Sequence, residues 1–400
     1  MPKKNSTFCI RPFVSAVVNE TGDIKPCCVI KKKHSTYQGE KYFNLKTSNV
    51  KEYWKSDYLK ELQQALLNDQ KPSECSVCWH NESNSAVSHR TIGNKEYKFL
   101  AKSNYEKYLK ILNLYELDEP IEYEIAITNL CNLKCAMCSG VHSAKLLIEN
   151  KAIGIEKQLD QKDFDWSDKT KKEFVESINS KTVKKLILLG GESLIVPDII
   201  QILKNISETS YADEVEVNII TNGTIFNKKI ETILQKIKKL KIIFSIESTS
   251  LCNNYLRYPS DWNQISKNVK SFQKLKDAYF YISCVVQNLN ILYIDQIIKF
   301  AHDHNMHIRL MRLQEPNYLD LENLPQHLLK LAYEKLDRVP QEQRVHCTNF
   351  DGILNILKEA QNKKLNPDKF KEFKKMIILR DNFRKISINE YMPELAKEIL

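Results

Sequence analysis

The segment ITNLCNLKCAMCSG, residues 127 to 140, puts three of the chain's eleven cysteines, Cys131, Cys135 and Cys138, within eight positions. Thiols clustered in a reducing compartment hold metal more often than they form disulfides. A structural zinc site needs four closed ligands, and His142, four residues after Cys138, could complete a Cys3His set. A [4Fe–4S] cluster usually takes one thiolate per iron, so three thiolates leave one iron with an open position where a substrate can coordinate.

A second group lies in the first hundred residues. FCIRPFVSAVVNETGDIKPCC spells Cys9-x12-Gly22-x4-Cys27, and PSECSVC adds Cys75 and Cys78 two residues apart. Zinc and iron–sulfur are again both open. Cys28 adjoins Cys27; neighbours in an extended segment point opposite ways, so one of the two is expected to bind. His80 and His89 could each replace a thiol. Cys252, Cys284 and Cys347 have no ligand partners in sequence, and Cys284 reads as a small buried hydrophobe.

These residues need elements to position them. From about residue 122 the chain alternates β-rich runs with amphipathic helical patterns: EYEIAITN, KKLILLGG, EVEVNIITNG, KIIFSIEST, YFYISCVVQ and HIRLMRLQEP. Between them Ile230, Ile233, Leu234, Ile237 and Leu240 recur at helical spacing, as do Trp262, Ile265, Val269 and Phe272, then Ile294, Ile297, Ile298 and Ala301. Six strand–helix units in series predict an α/β fold, a parallel sheet with right-handed crossovers, arranged as a partial (β/α)6 TIM barrel. In such folds reactive groups gather where strands end. Cys131, Gly190-Gly191-Glu192, Thr221-Asn222, Ser245 with Glu247, Gln287-Asn288 and Gln314-Glu315-Pro316 all fall at those ends.

Three domains are expected: a small N-terminal metal-binding domain over 1–105, the barrel over 118–320 and a helical C-terminal extension over 321–400. The formal charge of +10 is spread over helical faces such as NKKIETILQKIKKL, which reads as a solvated surface. It forms no basic stripe with interleaved aromatics, which argues against a nucleic-acid partner. The start MPKKNSTFCIRPF lacks the apolar run of an export signal, and the most apolar stretch, KLILLGGESLIVPDIIQIL, is broken by Gly, Glu, Pro and Asp. A cytoplasmic location without a membrane partner is the expectation.

Cys131-x3-Cys135-x2-Cys138 after the first strand, followed by GGES at the end of the second, resembles the radical S-adenosylmethionine (SAM) superfamily over residues 122 to 316. The resemblance implies a [4Fe–4S] cluster on the three cysteines and SAM on its open iron, reductively cleaved to a 5′-deoxyadenosyl radical that removes hydrogen from a substrate carbon. It further implies that Gly190 and Gly191 let backbone approach the cofactor, that Glu192 accepts from the SAM ammonium, and that Ser245 and Glu247 reach the ribose hydroxyls. Thr221 and Asn222 become cofactor neighbours, Arg257 lies near the SAM carboxylate, and Met137 packs on the adenine edge.

The N-terminal pattern resembles the auxiliary-cluster modules of that superfamily, the SPASM type and its shorter twitch form. The resemblance implies a second [4Fe–4S] cluster on Cys9, Cys27, Cys75 and Cys78, with the Gly-x4-Cys spacing selecting Cys27 over Cys28. In many such enzymes the module follows the barrel; here it precedes it. With all four thiols bound, electron transfer is its expected role, and a reductant such as flavodoxin or ferredoxin is implied. The substrate is expected to be a peptide or protein. A radical SAM dehydrogenase of a small molecule, an amino sugar or a nucleotide, is the enzymatic alternative, and a zinc-stabilised nucleic-acid-binding protein the non-enzymatic one. Arg309 and Arg312 on the sixth strand are candidates to meet an anionic group.

Overall fold

In the computed structural model the described residues are 7–30, 43–83, 87–97, 117–164, 166–178, 182–210, 212–313 and 315–400. Gln314 and residues 98–105 of the expected first domain therefore lie outside them. The chain forms two compact units: Met1–Thr128 with Lys162–Gly190 and Gln201–Val217, and Asn129–Gln161 with Gly191–Ile200 and Asn218–Leu400.

In the first unit β1 (Ser15–Val18) and β2 (Ile24–Lys25) form an antiparallel hairpin with Val17 opposite Lys25 and Val18 opposite Ile24. Gly22 turns it with φ of +86°, a left-handed conformation that costs a side-chain-bearing residue more than glycine. β1 also pairs in parallel with β3 (Glu122–Ile125), and β3 in parallel with β4 (Lys185–Leu188). The N-terminal segment thus supplies a parallel strand beyond the six expected. All four residues of β1 are buried, so a short apolar run covered on both faces carries no alternation by which sequence could announce it.

A buried carboxylate sits at the centre of this sheet. Glu122 is fully buried and bonds Arg11, Ser15 Oγ at 3.2 Å and Tyr97 Oη at 2.8 Å, with Lys185 Nζ at 3.8 Å. Several donors and two cations offset the cost of removing its charge from water. Nearby, the helix Asp57–Leu67 starts at Ser56, whose side chain accepts from the Leu59 N–H, and buries Leu59, Leu62 and Leu66.

β5 (Glu216–Thr221) runs from the first unit into the second, where β6 (Lys239–Ser245), β7 (Ala278–Val286), β8 (His307–Arg312) and β9 (Cys347–Thr348) follow in spatial order. β6 to β9 pair in parallel. Phe244 of β6 meets Phe272 of the helix Trp262–Phe272 edge to face at 5.3 Å, which fixes the side of the sheet that faces the crossover helices. The helix expected over 230–240 is shorter, Lys228–Leu234, because Leu240 already belongs to β6. The result is an α/β fold of the partial-barrel kind, with helices around an open parallel-strand sheet.

The C-terminal extension contains the helices Gln326–Asp337, Phe350–Ala360 and Pro367–Arg384. Between the first two, the two-residue β9 pairs with β8, a strand too short for any sequence period. No helix among the described residues is long and apolar enough to cross a membrane.

Candidate active site and cluster-binding residues

The segment after β3 carries Cys131, Cys135 and Cys138, and they gather with Leu133 and Met137 into one apolar cluster. Cys131 and Cys135 are each 7% exposed. Burial pushes the Cys131 thiol up to about 11. Cys138 rises further through burial and the neighbouring charges of Cys135 and Cys131, and burial raises Cys135 against the opposing charge of Arg257. Without metal these thiols hold their protons at neutral pH, and a metal that binds them must displace those protons.

Backbone bonds hold this loop in place. The Lys134 N–H donates to the Tyr258 carbonyl at 2.5 Å and the Ala136 N–H to the Leu256 carbonyl at 2.7 Å. Asn222, just past β5, donates through Nδ2 to Asn132 Oδ1 at 2.9 Å, and Asn132 Nδ2 donates to Thr224 Oγ1 at 2.8 Å. Asn222 thereby ties one strand end to the cysteine loop, and Asn132 was missed in the sequence because a lone loop asparagine has no distinguishing pattern.

Gly190 and Gly191 have a sterically clear role. A Cβ on Gly190, whose φ is +86°, would stand 2.7 Å from Ala126 Cβ, and one on Gly191 would stand 2.0 Å from the Leu130 carbonyl oxygen. The Glu192 N–H donates to that same carbonyl at 2.9 Å. The close approach they permit is to the loop bearing Cys131. Gly191→Ala should therefore displace this loop, lowering stability by about 1–3 kcal/mol and lowering cluster iron per chain, read by thermal unfolding and iron assay.

Glu192 is buried and accepts from the Leu194 N–H at 3.1 Å, Thr221 Oγ1 at 2.7 Å and the Asn222 N–H at 2.6 Å. Burial raises its pKa above the ordinary carboxylate value, and these donors offset only part of that rise. Oε2 carries one of the three bonds, so the carboxylate keeps acceptor capacity for a cation.

Glu247 is fully buried and bonds Arg257 Nη2 at 2.5 Å and the Val285 N–H at 2.6 Å. Burial pushes its carboxyl above the ordinary range despite the Arg257 charge. Arg257 Nη1 in turn donates toward Cys135 Sγ at 3.7 Å, and its buried Nε has no hydrogen-bond partner. Sequence alternation placed Glu247 with Ser245; the structure joins it instead to Arg257 and, through Arg257, to a thiol. Ser245 ends β6 half-buried.

Residues far along the chain, absent from the sequence reading, complete the support. Arg384 donates from Nη2 to the Lys134 carbonyl at 2.8 Å, lies over the Tyr258 ring at 4.9 Å and binds the Glu149 carboxylate at 2.7 Å. Arg380 and Lys134 also pair with Glu149, each at 2.7 Å. Burial would raise the Glu149 pKa, but the bonds and charges of Arg384 and Lys134 win and hold it below the ordinary glutamate value. Its stabilisation is thus complete above the ordinary glutamate range and is lost as pH falls through the lowered value. Glu149→Ala leaves two buried guanidinium groups uncompensated and should cost about 3–5 kcal/mol, measured by denaturant unfolding at pH 7 and shrinking toward acid.

In the first unit, Cys9, Cys27, Cys75 and Cys78 line one pocket with Leu62, Leu66, Trp79 and Arg90. Cys75 ends a short 3-10 turn that leads into the helix Ser76–Ser83, so Cys75 and Cys78, three apart, share a face. Asn94 brackets the Cys9 segment, accepting from the Ile10 N–H at 2.9 Å and donating to the Phe8 carbonyl at 2.7 Å. Burial, then the charge of Cys27, pushes Cys9 up to about 12, and burial pushes Cys27 to about 11. Cys28 is exposed and lies 3.6 Å from His89 Nδ1 rather than among the cavity-lining residues.

Both donor sets suit clusters by their chemistry. Soft thiols are concentrated in each, in apolar surroundings, three in one unit and four in the other. Among the described residues no three His, Cys, Asp or Glu side chains converge closely enough for a single metal ion. A four-iron cluster takes its thiolates at separate corners and requires no such convergence.

Residues 125–301 match the radical SAM superfamily, and residues 9–79 match the SPASM iron–sulfur cluster-binding domain. The chain is 20% identical over 228 residues to a GTP 3′,8-cyclase of Rhizobium leguminosarum bv. trifolii, covering 57% of this chain and 60% of that protein. Among solved structures it is similar to Streptococcus suis SuiB bound to precursor peptide SuiA, at 17% identity and a TM-score of 0.40, over 62% of this chain and 60% of that one. It is also similar to anSMEcpe with bound AdoMet, at 15% identity and a TM-score of 0.38, over 52% and 57% of the two chains. The chain spans about 60% of the length of these relatives.

Proposed function

We propose, for a chain that belongs to the radical SAM superfamily and carries an N-terminal iron–sulfur cluster-binding domain, a radical modification of a peptide or protein. Cys131, Cys135 and Cys138 hold the SAM-binding cluster, and Cys9, Cys27, Cys75 and Cys78 hold the second. When bound, the first cluster and SAM supply a 5′-deoxyadenosyl radical that takes hydrogen from a substrate carbon.

The observation that carries this reading is the gathering of three thiols, Cys131 and Cys135 buried and Cys138 partly buried, beside an arginine already committed to a carboxylate, Arg257 standing 3.7 Å from Cys135 Sγ and 2.5 Å from Glu247. Glu247 fixes the guanidinium, which then presents its remaining N–H donors to an anionic group such as a carboxylate. Glu192, held by three donors, offers its spare lone pair to an ammonium. Gly190 and Gly191 bring the strand end against the cysteine loop, Ser245 stands at the end of β6, and Met137 gives apolar contact beside the thiols. In the N-terminal module, residues 1–105, four thiols on one cavity satisfy every iron and leave no vacancy for a substrate, which supports electron transfer there, fed by a flavodoxin- or ferredoxin-like donor.

The peptide reading rests on an open surface. On the face of β7 to β9 turned away from the crossover helices, Tyr279, Arg309 and Thr348 are all exposed. Small-molecule sites enclose most of their ligand, whereas an open face suits an extended chain. The likeness to a GTP 3′,8-cyclase keeps a nucleotide substrate as the second reading.

Anaerobic metal analysis tests the cofactor assignment: about eight irons per chain are expected from two four-iron clusters. Reduced enzyme should convert SAM to 5′-deoxyadenosine. About two zincs per chain with salt-sensitive nucleic-acid binding would overturn the reading. Coupled product analysis with candidate peptides and with GTP separates the two substrate classes.

A further inference from the structure

Arg309 and Arg312 lie three residues apart on β8, and the fold gives them opposite fates. Arg312 is neutralised internally: it binds Asp320 through Nε at 3.1 Å and Nη2 at 2.9 Å, and Glu322 at 3.0 Å. Arg309 is exposed and makes no hydrogen bond or ion pair among the described residues.

Register shows what surrounds it. Ser245 pairs with Ser283, Ser283 with Arg309 and Arg309 with Thr348, so these four residues form one row across β6, β7, β8 and β9. Ile308 and Leu310, 1% exposed each, and Phe244 take the side packed on helices, and alternation puts the row on the other side. None of the three hydroxyls in the row is used in a hydrogen bond among the described residues. Neighbouring strands stand about 4.8 Å apart, close enough for one multi-oxygen group to bridge adjacent donors.

The strands of this face carry cations, and the acid two residues beyond Ser245, Glu247, is already paired with Arg257. None of β6 to β9 contains an Asp or Glu. One step toward the strand starts, Lys241 Nζ lies 5.3 Å over Tyr281, Tyr281 stacks on His307 at 5.4 Å, and His307 meets His346 edge to face at 4.8 Å. A fork-shaped cation flanked by unspent hydroxyls, with aromatic and basic residues beneath it and no acid on its strands, is complementary to a carboxylate or phosphate.

We propose that Arg309, with Ser283 and Thr348, binds an oxyanion of the substrate, a carboxylate or a phosphate, at the level of Ser245. The group anchors the substrate in the same row as Ser245, which the reading above assigns to SAM. This rests on the radical SAM reading above, because that reading assigns Ser245 to the cofactor side of the same face.

The test uses the reconstituted holoenzyme with SAM, anaerobically, in 150 mM KCl. Inorganic phosphate and an acetylated, amidated tri-glutamate peptide are titrated by calorimetry against wild type, Arg309→Gln and, as a control for bulk charge, the exposed Arg338→Gln. Saturable binding of either probe, weakened roughly tenfold or more by Arg309→Gln and unchanged by Arg338→Gln, is the expected result, and the probe that binds identifies the oxyanion. Binding of neither probe, equal binding by Arg309→Gln, or equal weakening by Arg338→Gln overturns the proposal. Iron content and SAM cleavage of the same wild-type preparation report separately on the underlying function: their failure sinks that reading, whereas full iron and cleavage without oxyanion binding sinks only this one.

Discussion

Cys135→Ala is expected to abolish SAM cleavage completely, and Cys131→Ala and Cys138→Ala should do the same. Under the proposed assignment each supplies one of three thiolates, so a missing sulfur leaves a second iron open and the cluster prone to loss. Cys135 is the most informative position because Arg257 sits 3.7 Å from its sulfur and carries the Glu247 contact. Iron per chain should fall from about eight toward about four, and reduced enzyme should form no 5′-deoxyadenosine. Thermal unfolding separates this from collapse of the fold: the thiol lies in a loop held by backbone bonds of Lys134 and Ala136, which alanine keeps. Retained SAM cleavage in any of the three variants would refute the ligand assignment.

Cys75→Ala is expected to show the complementary pattern, with SAM cleavage retained in the absence of substrate and product formation lost. Cys75 lines the pocket shared with Cys9, Cys27 and Cys78, and all of these belong to the first unit, while Cys131, Cys135 and Cys138 belong to the second. Removing a ligand there should cost about four irons and leave the other set intact. The cavity is also lined by Leu62 and Leu66, so an unfilled site should lower the melting temperature. Undiminished product from Cys75→Ala would remove the second cluster from the reaction.

The sequence made the alternating strands and helices legible because each is announced by a local period. Trp262, Ile265, Val269 and Phe272 fall in the helix Trp262–Phe272, and YFYISCVVQ covers all of β7 but its first residue, Ala278. Where period fails, so did the reading: β1 is buried throughout and β9 has two residues, and both are defined by pairing with a distant partner. The glycine pair was legible as a need for close approach, but not what approaches; that is the Leu130 carbonyl.

Cysteine spacing alone determined that two thiol groups exist, and strand order determined which polar residues stand at strand ends, because both are properties of covalent connectivity and local period. Only tertiary structure decided how those groups spend their bonds. Glu247 goes to Arg257, Arg312 is consumed by Asp320 and Glu322 while Arg309 stays open, and Arg384 reaches back 250 positions to Lys134. The physical reason is that a buried charge must find a partner, and the nearest partner in space is set by packing that no local pattern encodes.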